Sequence, residues 1–458
     1  MKFQFEKLGT INKAELELGD LTIICGNNNT GKTYVSYAIY GLLATWNNFD
    51  FDLFQEKEKI GDLLKNGILR IDLKQFKNNI SALINKLSQD YTQFVIPKIF
   101  SANENYFSET SFKVIINDNP NDKSNELQFS AKTKEKEVLK AFNEKGSSIL
   151  EITLLVEDDE LIPPTRIIKE FINEALGRVL LEHYFFSPFI ITAERIGISL
   201  FYRELDISKN VLVEQLQKQS KKFEIVDFFK MINDTVSRYA YPIQNNIDFV
   251  RDIFDIHSKK ISPLLKEHPE FAKDLKNLLG GEIKVINDQI FFAFKHARKN
   301  QKIPLYLSSS TVKSLLDLNF YIKHVAKTGD ILFIDEPELS LHPANQRKMA
   351  RLFVRLIKAG IKVFITTHSD YIIKELNNLI ILGNEFEERD KIMKKYKYTE
   401  TDVLDPASVK VYIAENQTLT PAPIDNLGIA VKSFDREIEE MRNMFDDMTE
   451  TMEMAYEL

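Results

Sequence analysis

Residues 331–343 read ILFIDEPELSLHP. Four apolar residues, Ile331, Leu332, Phe333 and Ile334, lead into two acids, Asp335 and Glu336. A short apolar run ending in carboxylates predicts a buried parallel strand. Its last residues then emerge at the carboxyl edge of a sheet, where open α/β folds bind their ligands. Pro337 breaks the strand, and Pro343 suits the first turn of a helix. Residues 344–359 continue with Phe353, Leu356 and Ile357 on one face, and Gly360 is a natural stop. Two adjacent carboxylates at such an edge suit a magnesium ion and an attacking water. Taken alone, they fit a strand followed by a solvated acidic turn equally well.

The other end of the chain weighs against the solvated turn. Residues 21–25, LTIIC, predict a second buried strand, which runs directly into Gly26-Asn27-Asn28-Asn29-Thr30-Gly31-Lys32-Thr33. That is the spacing G-x-x-x-x-G-K-T, the P-loop. Its glycines let backbone N–H groups turn inward around phosphate, where a Cβ would obstruct the turn. Lys32 is placed to reach the β- and γ-phosphates of a nucleotide such as ATP, and the Thr33 hydroxyl to ligate Mg²⁺. The helix expected next has Val35, Ala38, Ile39 and Leu42 on one face and its amino end towards the phosphates. A glycine turn before an ordinary helix is the bland alternative; the strand–loop–helix context favours the nucleotide site.

Two further stretches belong with these. Residues 305–314, LYLSSSTVKS, place Ser308, Ser309 and Ser310 between a short strand and a helix predicted over 312–326. Serine hydroxyls and free N–H groups at a helix amino end can hold an anion, although a simple capped helix reads the same way. Residues 363–365 predict another buried strand, which leads to Thr366-Thr367-His368-Ser369. A lone histidine is more often structural than catalytic; at a strand end in this series, His368 reads as a γ-phosphate contact.

Composition bounds the rest. A chain of 458 residues with 33 Phe can bury a large core, and its length fits two or three lobes. The net charge of −7 gives no global pull towards nucleic acid. The basic run 295–302, KHARKNQK, could make a local contact with nucleic acid, but a solvated loop is the simpler reading. The lone cysteine, Cys25, excludes an internal disulfide and disfavours a cysteine-rich zinc site. The amino terminus lacks the apolar segment of a signal peptide, and no run is long and apolar enough to span a membrane, so the expected compartment is the cytoplasm.

Between the two halves of the site the reading is coarser. Phe3 and Phe5, then Ala14, Leu16 and Leu18, alternate with polar residues as in a β-hairpin or meander. Residues 55–98 read as helical, with Leu63, Leu64, Ile68, Leu83, Ile84 and Leu87 as apolar positions. Residues 112–116 and 127–131 flank a polar turn, 117–124, and predict a hairpin; 149–156 predict another strand. A helix is expected over 165–186 and a core strand over 188–193, ending in Glu194-Arg195. Residues 197–280 are mostly helical in pattern, with charged stretches such as 218–224 and no sustained heptads. Gly280-Gly281 marks a turn before two strands within 282–294; a strand near 409–414 and an amphipathic helix from about residue 433 close the chain. The expected organisation is 1–45 as the first part of a head, 46–186 as a mixed insertion, 187–280 as a core strand with a helical lobe or short hairpin, and 281–458 as the second part of the head.

The P-loop at 26–33, the serine-rich helix start at 307–314, the acidic strand at 331–336 and the strand-end His368 occur in an order that resembles the ABC-type ATPase head shared by SMC, RecF and OLD-family proteins. The wording of GNNNTGKT, DEPELSLHP and TTHSDYI is similar to that of stand-alone AAA ATPases of bacterial anti-phage defence, of OLD, Septu or PARIS type. The resemblance covers 1–45 and 280–430, and covers 46–280 poorly. It implies an α/β P-loop NTPase fold, an ABC-type head carrying a large mixed α+β and helical insertion. It also implies that Asp335 and Thr33 hold Mg²⁺, that Glu336 is the general base and that His368 is the switch histidine. Ser340, Leu341, His342 and Pro343 become the D-loop, and Ser308, Ser309 and Ser310 the signature loop that touches the γ-phosphate held by an opposite subunit. The family's LSGGQ is LSSST here, and no Q-loop glutamine is evident beyond the candidates Gln55 and Gln75. The implied assembly is a homodimer, or a higher oligomer built from ATP-sandwich dimers. OLD nucleases carry a carboxyl-terminal TOPRIM domain, for which residues 369–458 leave little room, so the expected effector is a separate protein such as a nuclease. A RecF- or SMC-like repair ATPase that binds DNA directly is the rival. A transporter subunit is disfavoured, because there the P-loop and acidic strand lie far closer in sequence.

Overall fold

The structure, a computed structural model, describes the chain except for residues 50, 52, 55–56, 78, 117–125, 133–135, 157–161, 203–238, 260, 296–300, 431 and 457–458. The polar turn 117–124, the charged stretch 218–224, most of the basic run 295–302 and Gln55 therefore lie outside the described residues, wholly or nearly so. Two units divide the chain: Met1–Leu8 with Ala38–Pro188, and Gly9–Tyr37 with Phe189–Leu458. The division falls inside the helix Lys32–Thr45.

The second unit is organised on a sheet of the order Thr418–Pro421, Val409–Glu415, Leu21–Cys25, Lys362–Thr367, Asp330–Asp335 and Ser187–Ile191; of the last strand, residues 189–191 belong to this unit. Leu21–Cys25 lies parallel between Val409–Glu415 and Lys362–Thr367, and Lys362–Thr367 runs parallel to Asp330–Asp335. Leu21–Cys25 and Asp330–Asp335 are buried at every position, as expected of parallel strands covered on both faces. Register then does the placing. Asp335 pairs with Thr366, Thr366 with Ile24, and Thr367 with Cys25, so the strand ends carrying the acids, the histidine and the P-loop fall level at one edge.

The helix predicted over 344–359 is Pro343–Lys358. Pro343 is its first residue, and the His342 imidazole Nδ1 caps it by accepting from the Ala344 N–H at 3.2 Å. Arg355 and Lys358 complement the carboxyl-end dipole, and Gly360 at φ 81° ends the turn. The expected helix over 312–326 is broken instead into Ser310–Ser314, Leu316–Phe320 and a π turn, Tyr321–Val325. Leu315 leaves helical geometry at φ −97° and ψ 2°. Beside it the Ser314 hydroxyl donates to the Thr311 carbonyl at 3.0 Å, the local back-bond by which serine competes with helix. The apolar spacing nevertheless reports burial correctly, since Leu315, Leu316, Leu318, Phe320 and Ile322 are all core. The strands within 282–294 pair antiparallel as Gly281–Ile286 and Gln289–Phe294. The last helix, Lys432–Tyr456, leaves Met441, Phe445, Met448 and Met452 exposed.

Two expectations fail in the first unit. The segments 112–116 and 127–131 do not form a hairpin: Ser111–Ile115 pairs antiparallel with Lys2–Leu8, and Leu127–Lys132 pairs with Glu137–Asn143. Aromatic packing decides this, for the register sets Phe5 against Phe112 with ring centroids 5.3 Å apart, and the Tyr91 ring closes on Phe112 at 5.0 Å. Nor is 55–98 continuously helical. Gly67 at φ 74° stops the helix Lys57–Asn66, and Ile68–Asp72 follows as a strand paired with Ile149–Leu154. Leu69 and Ile71 alternate inward there, a period of two that a helical reading of Ile68 overlooks.

Candidate functional site

The P-loop turns tightly because two glycines permit it. Gly26 takes φ 149° and Gly31 φ 94°. A Cβ on Gly26 would lie 2.5 Å from the Ala414 carbonyl oxygen, and one on Gly31 2.6 Å from Thr10 Oγ1. Asn29 takes φ 63°, a conformation asparagine tolerates, and the Thr30 hydroxyl donates to the Asn27 carbonyl at 2.9 Å. Asn27, Asn28 and Asn29 stay exposed. Lys32 is buried and folds back over its own loop, donating to the Gly26 and Asn27 carbonyls at 2.8 Å each. Burial pulls its ammonium below the usual lysine range, a pull opposed by Glu336, Asp335 and Glu338.

Asp335 ends the acidic strand and faces Thr33. The Thr33 hydroxyl donates to Asp335 Oδ2 at 3.2 Å, and the Thr366 hydroxyl donates to Oδ1. Burial pushes the Asp335 carboxyl up to about 6; Glu336 and Glu194 push the same way, while the Thr366 and Thr33 hydroxyls resist. A hydroxyl beside a buried, under-compensated carboxylate is an oxygen donor set that fits Mg²⁺, which takes one or two protein oxygens and fills its remaining positions with water and phosphate.

Glu336 stands at φ 49°, in the left-handed region that costs a side chain roughly 1–2 kcal/mol. Such a conformation persists where the surroundings over-determine it. Here the Glu336 N–H donates to the Thr366 carbonyl at 3.0 Å, and the Glu336 carbonyl accepts from the Leu339 N–H at 3.1 Å. A buried guanidinium completes the hold: Arg195 donates through Nη2 to the Glu336 carbonyl at 2.7 Å, and through Nη1 to the Asp335 and Thr192 carbonyls at 2.8 and 3.0 Å.

His368 sits across the same edge, its Nδ1 3.7 Å from Glu336 Oε1 and 3.3 Å from Glu338 Oε1. Glu338 Oε1 also accepts from the His368 N–H at 2.7 Å and the Thr367 hydroxyl at 2.8 Å, so the third acid of DEPE holds the histidine turn in place. Farther along the edge the serine loop meets the predicted D-loop. The Thr311 hydroxyl donates to the Ser340 carbonyl at 2.7 Å, and Ser340 takes φ 60°. Leu341 is buried, while His342 and Pro343 start the helix described above. Of the three serines, Ser308 is buried, with its hydroxyl on the Leu305 carbonyl at 2.5 Å. Ser309 and Ser310 are exposed, Ser309 capping the short helix by accepting from the Val312 N–H at 3.4 Å.

Sequence reasoning assigned no role to Glu194, Arg195, Asp317, Glu338 or Thr366. Glu194 follows the edge strand Ser187–Ile191 and accepts from the Tyr37 hydroxyl at 3.5 Å. Burial, with Asp335 and Glu194 beside it, pushes the Tyr37 phenol up. Acids following a buried strand, the same signal used for Asp335, could have found Glu194. Gln75, one of the two glutamines considered, lies on the helix Lys74–Lys77 in the other unit.

A parallel core of strands, a P-loop after one of them and an acid pair at the end of a nearby one define an α/β domain of the P-loop NTPase class. The chain belongs to the AAA ATPase domain family, whose pattern matches residues 6–373. Among solved structures it is similar to the Smc head domain with an extended coiled coil, bound to the C-terminal domain of ScpA, from Pyrococcus furiosus: 13% identity, 96% of this chain and 98% of that one, TM-score 0.32. It is also similar to the SMC head domain from Thermotoga maritima: 12% identity, 93% and 98% of the two chains, TM-score 0.29. No curated protein matches it. Among the described residues no helix is long and apolar enough to cross a membrane.

Proposed function

We propose that the chain hydrolyses ATP, that two copies close around the nucleotide, and that closure controls a separate effector, a nuclease, in bacterial anti-phage defence. The observation that carries the hydrolytic part is the Asp335–Glu336 turn, held level with Thr33 and Lys32 at one sheet edge. The P-loop N–H groups and Lys32 bind the β- and γ-phosphates. Thr33 and Asp335 hold Mg²⁺, which when bound supplies positive charge against the phosphate oxygens. Glu336 accepts the proton of a water whose oxygen bonds to the γ-phosphorus as the bond to the β-phosphate bridging oxygen breaks, giving ADP and phosphate. His368, fixed by Glu338, contacts the γ-phosphate. The serine loop, tied to Ser340 through Thr311, closes on the nucleotide of the opposite copy. Ser309 and Ser310 make that contact, and Ser308 shapes the loop.

The defence role rests on the motif wording, GNNNTGKT, DEPELSLHP and TTHSDYI. Glu336→Gln tests the chemistry: it should bind labelled ATP as the parent does, lose most turnover, and run at twice the monomer mass in ATP. Parental steady-state turnover in that variant would sink the assignment of the base. Purification of the tagged chain from cells expressing its natural gene neighbour tests the effector. Retention of the neighbour's product supports the reading; retention of DNA without it replaces that reading with direct DNA binding.

A further inference from the structure

Arg195 and Asp317 are buried charges that the hydrolytic scheme above does not use. Arg195 is 2% exposed and Asp317 1%. Two successive carbonyls, of Asp335 and Glu336, take the guanidinium N–H groups at 2.8 and 2.7 Å, and these flank the peptide at which the backbone turns left-handed. A planar fork suits two neighbouring acceptors in a way that a single ammonium does not. Carbonyls do not neutralise the charge they accept from. The foremost opposite charge acting on Arg195 is Asp317, followed by Asp335, Glu338 and Glu336. Neither carboxyl oxygen of Asp317 has a hydrogen-bond partner among the described residues.

We propose that Arg195 is a positioning residue for Glu336. This rests on reading Glu336 as the base. Arg195 keeps the strained turn in the one geometry that aims the Glu336 carboxylate.

The full-length protein with Arg195→Lys tests the clamp, since charge is kept and the fork is lost. Hydrogen exchange of the peptide covering 335–341 should quicken about tenfold, with the P-loop peptide unchanged. Turnover should fall by at least about tenfold while the affinity for labelled ATP stays within about twofold, as for a misplaced group. Parental exchange and turnover in Arg195→Lys overturn the clamp, as does a loss of ATP affinity equal to the loss of turnover. A parent protein without turnover refutes the hydrolytic reading instead, and the exchange measurements still decide the clamp.

Discussion

Lys32 illustrates how much a single residue carries at this edge. Its ammonium is buried and held on two carbonyls of its own loop, and in the proposed site it exchanges them for phosphate oxygens. Lys32→Ala removes the one cationic side chain of the P-loop and should weaken ATP binding by at least about tenfold, as an uncompensated phosphate charge would. Equal affinity in a titration with labelled ATP contradicts this. Asp317 is legible through pH. Burial pushes its carboxyl up to about 7, although Arg195 pulls it down. The folded state therefore holds a proton that the unfolded chain, with an ordinary value near 3.8, has released. Folded protein binds more protons across that window, so the contribution of Asp317 to stability is lost as pH rises from about 4 to about 7. Melting temperatures of Asp317→Asn minus those of the parent should rise across that interval. A flat difference would show that Asp317 has an ordinary value in the fold.

At the scale of elements, a hydrogen bond from the Thr311 hydroxyl to the Ser340 carbonyl joins the serine loop to the predicted D-loop. Thr311→Val keeps the shape and removes the donor, at a cost of about 1 kcal/mol. Single-subunit ATP affinity should be unchanged, while closure of two copies should need several-fold more ATP; scattering curves identical to the parent's would contradict the coupling. This scale also shows what sequence can report. Leu21–Cys25 and Asp330–Asp335 were legible because buried parallel strands are mostly apolar and the P-loop and acid-pair motifs adjoin them in the chain. The failed hairpin and the broken helix share another cause. Phe112 chose Phe5 over a sequence neighbour, and the Ser314 back-bond cut an otherwise good apolar period. Arg195 was hidden for a third reason. Its partners, the Asp335 and Glu336 carbonyls, lie 140 and 141 positions away and are backbone, so no side-chain pattern announces them. Glu338 was in plain view within DEPE, but its task, holding the Thr367–His368 turn, exists only once two strands are paired.

For the whole molecule, the central claim is that two copies share each ATP, one giving the P-loop and the other the serine loop. Ser309 is exposed and Lys32 is buried in its own cradle, so the two lesions should be separable. If the sites are shared, Ser309→Glu sets a carboxylate against the γ-phosphate of the opposite copy, and should block closure while sparing P-loop binding. Lys32→Ala spares the serine loop. A mixed dimer of the two inactive variants then has one site with both lesions and one with neither. The decisive measurement is ATPase activity on mixing them, with dimer composition verified by native mass. Shared sites predict that activity absent from either variant alone returns in the mixture, up to about a quarter of the parental rate, since half the dimers are mixed and each has one intact site. Verified mixed dimers that remain as inactive as the separate variants would contradict sites built from two copies and turning over independently.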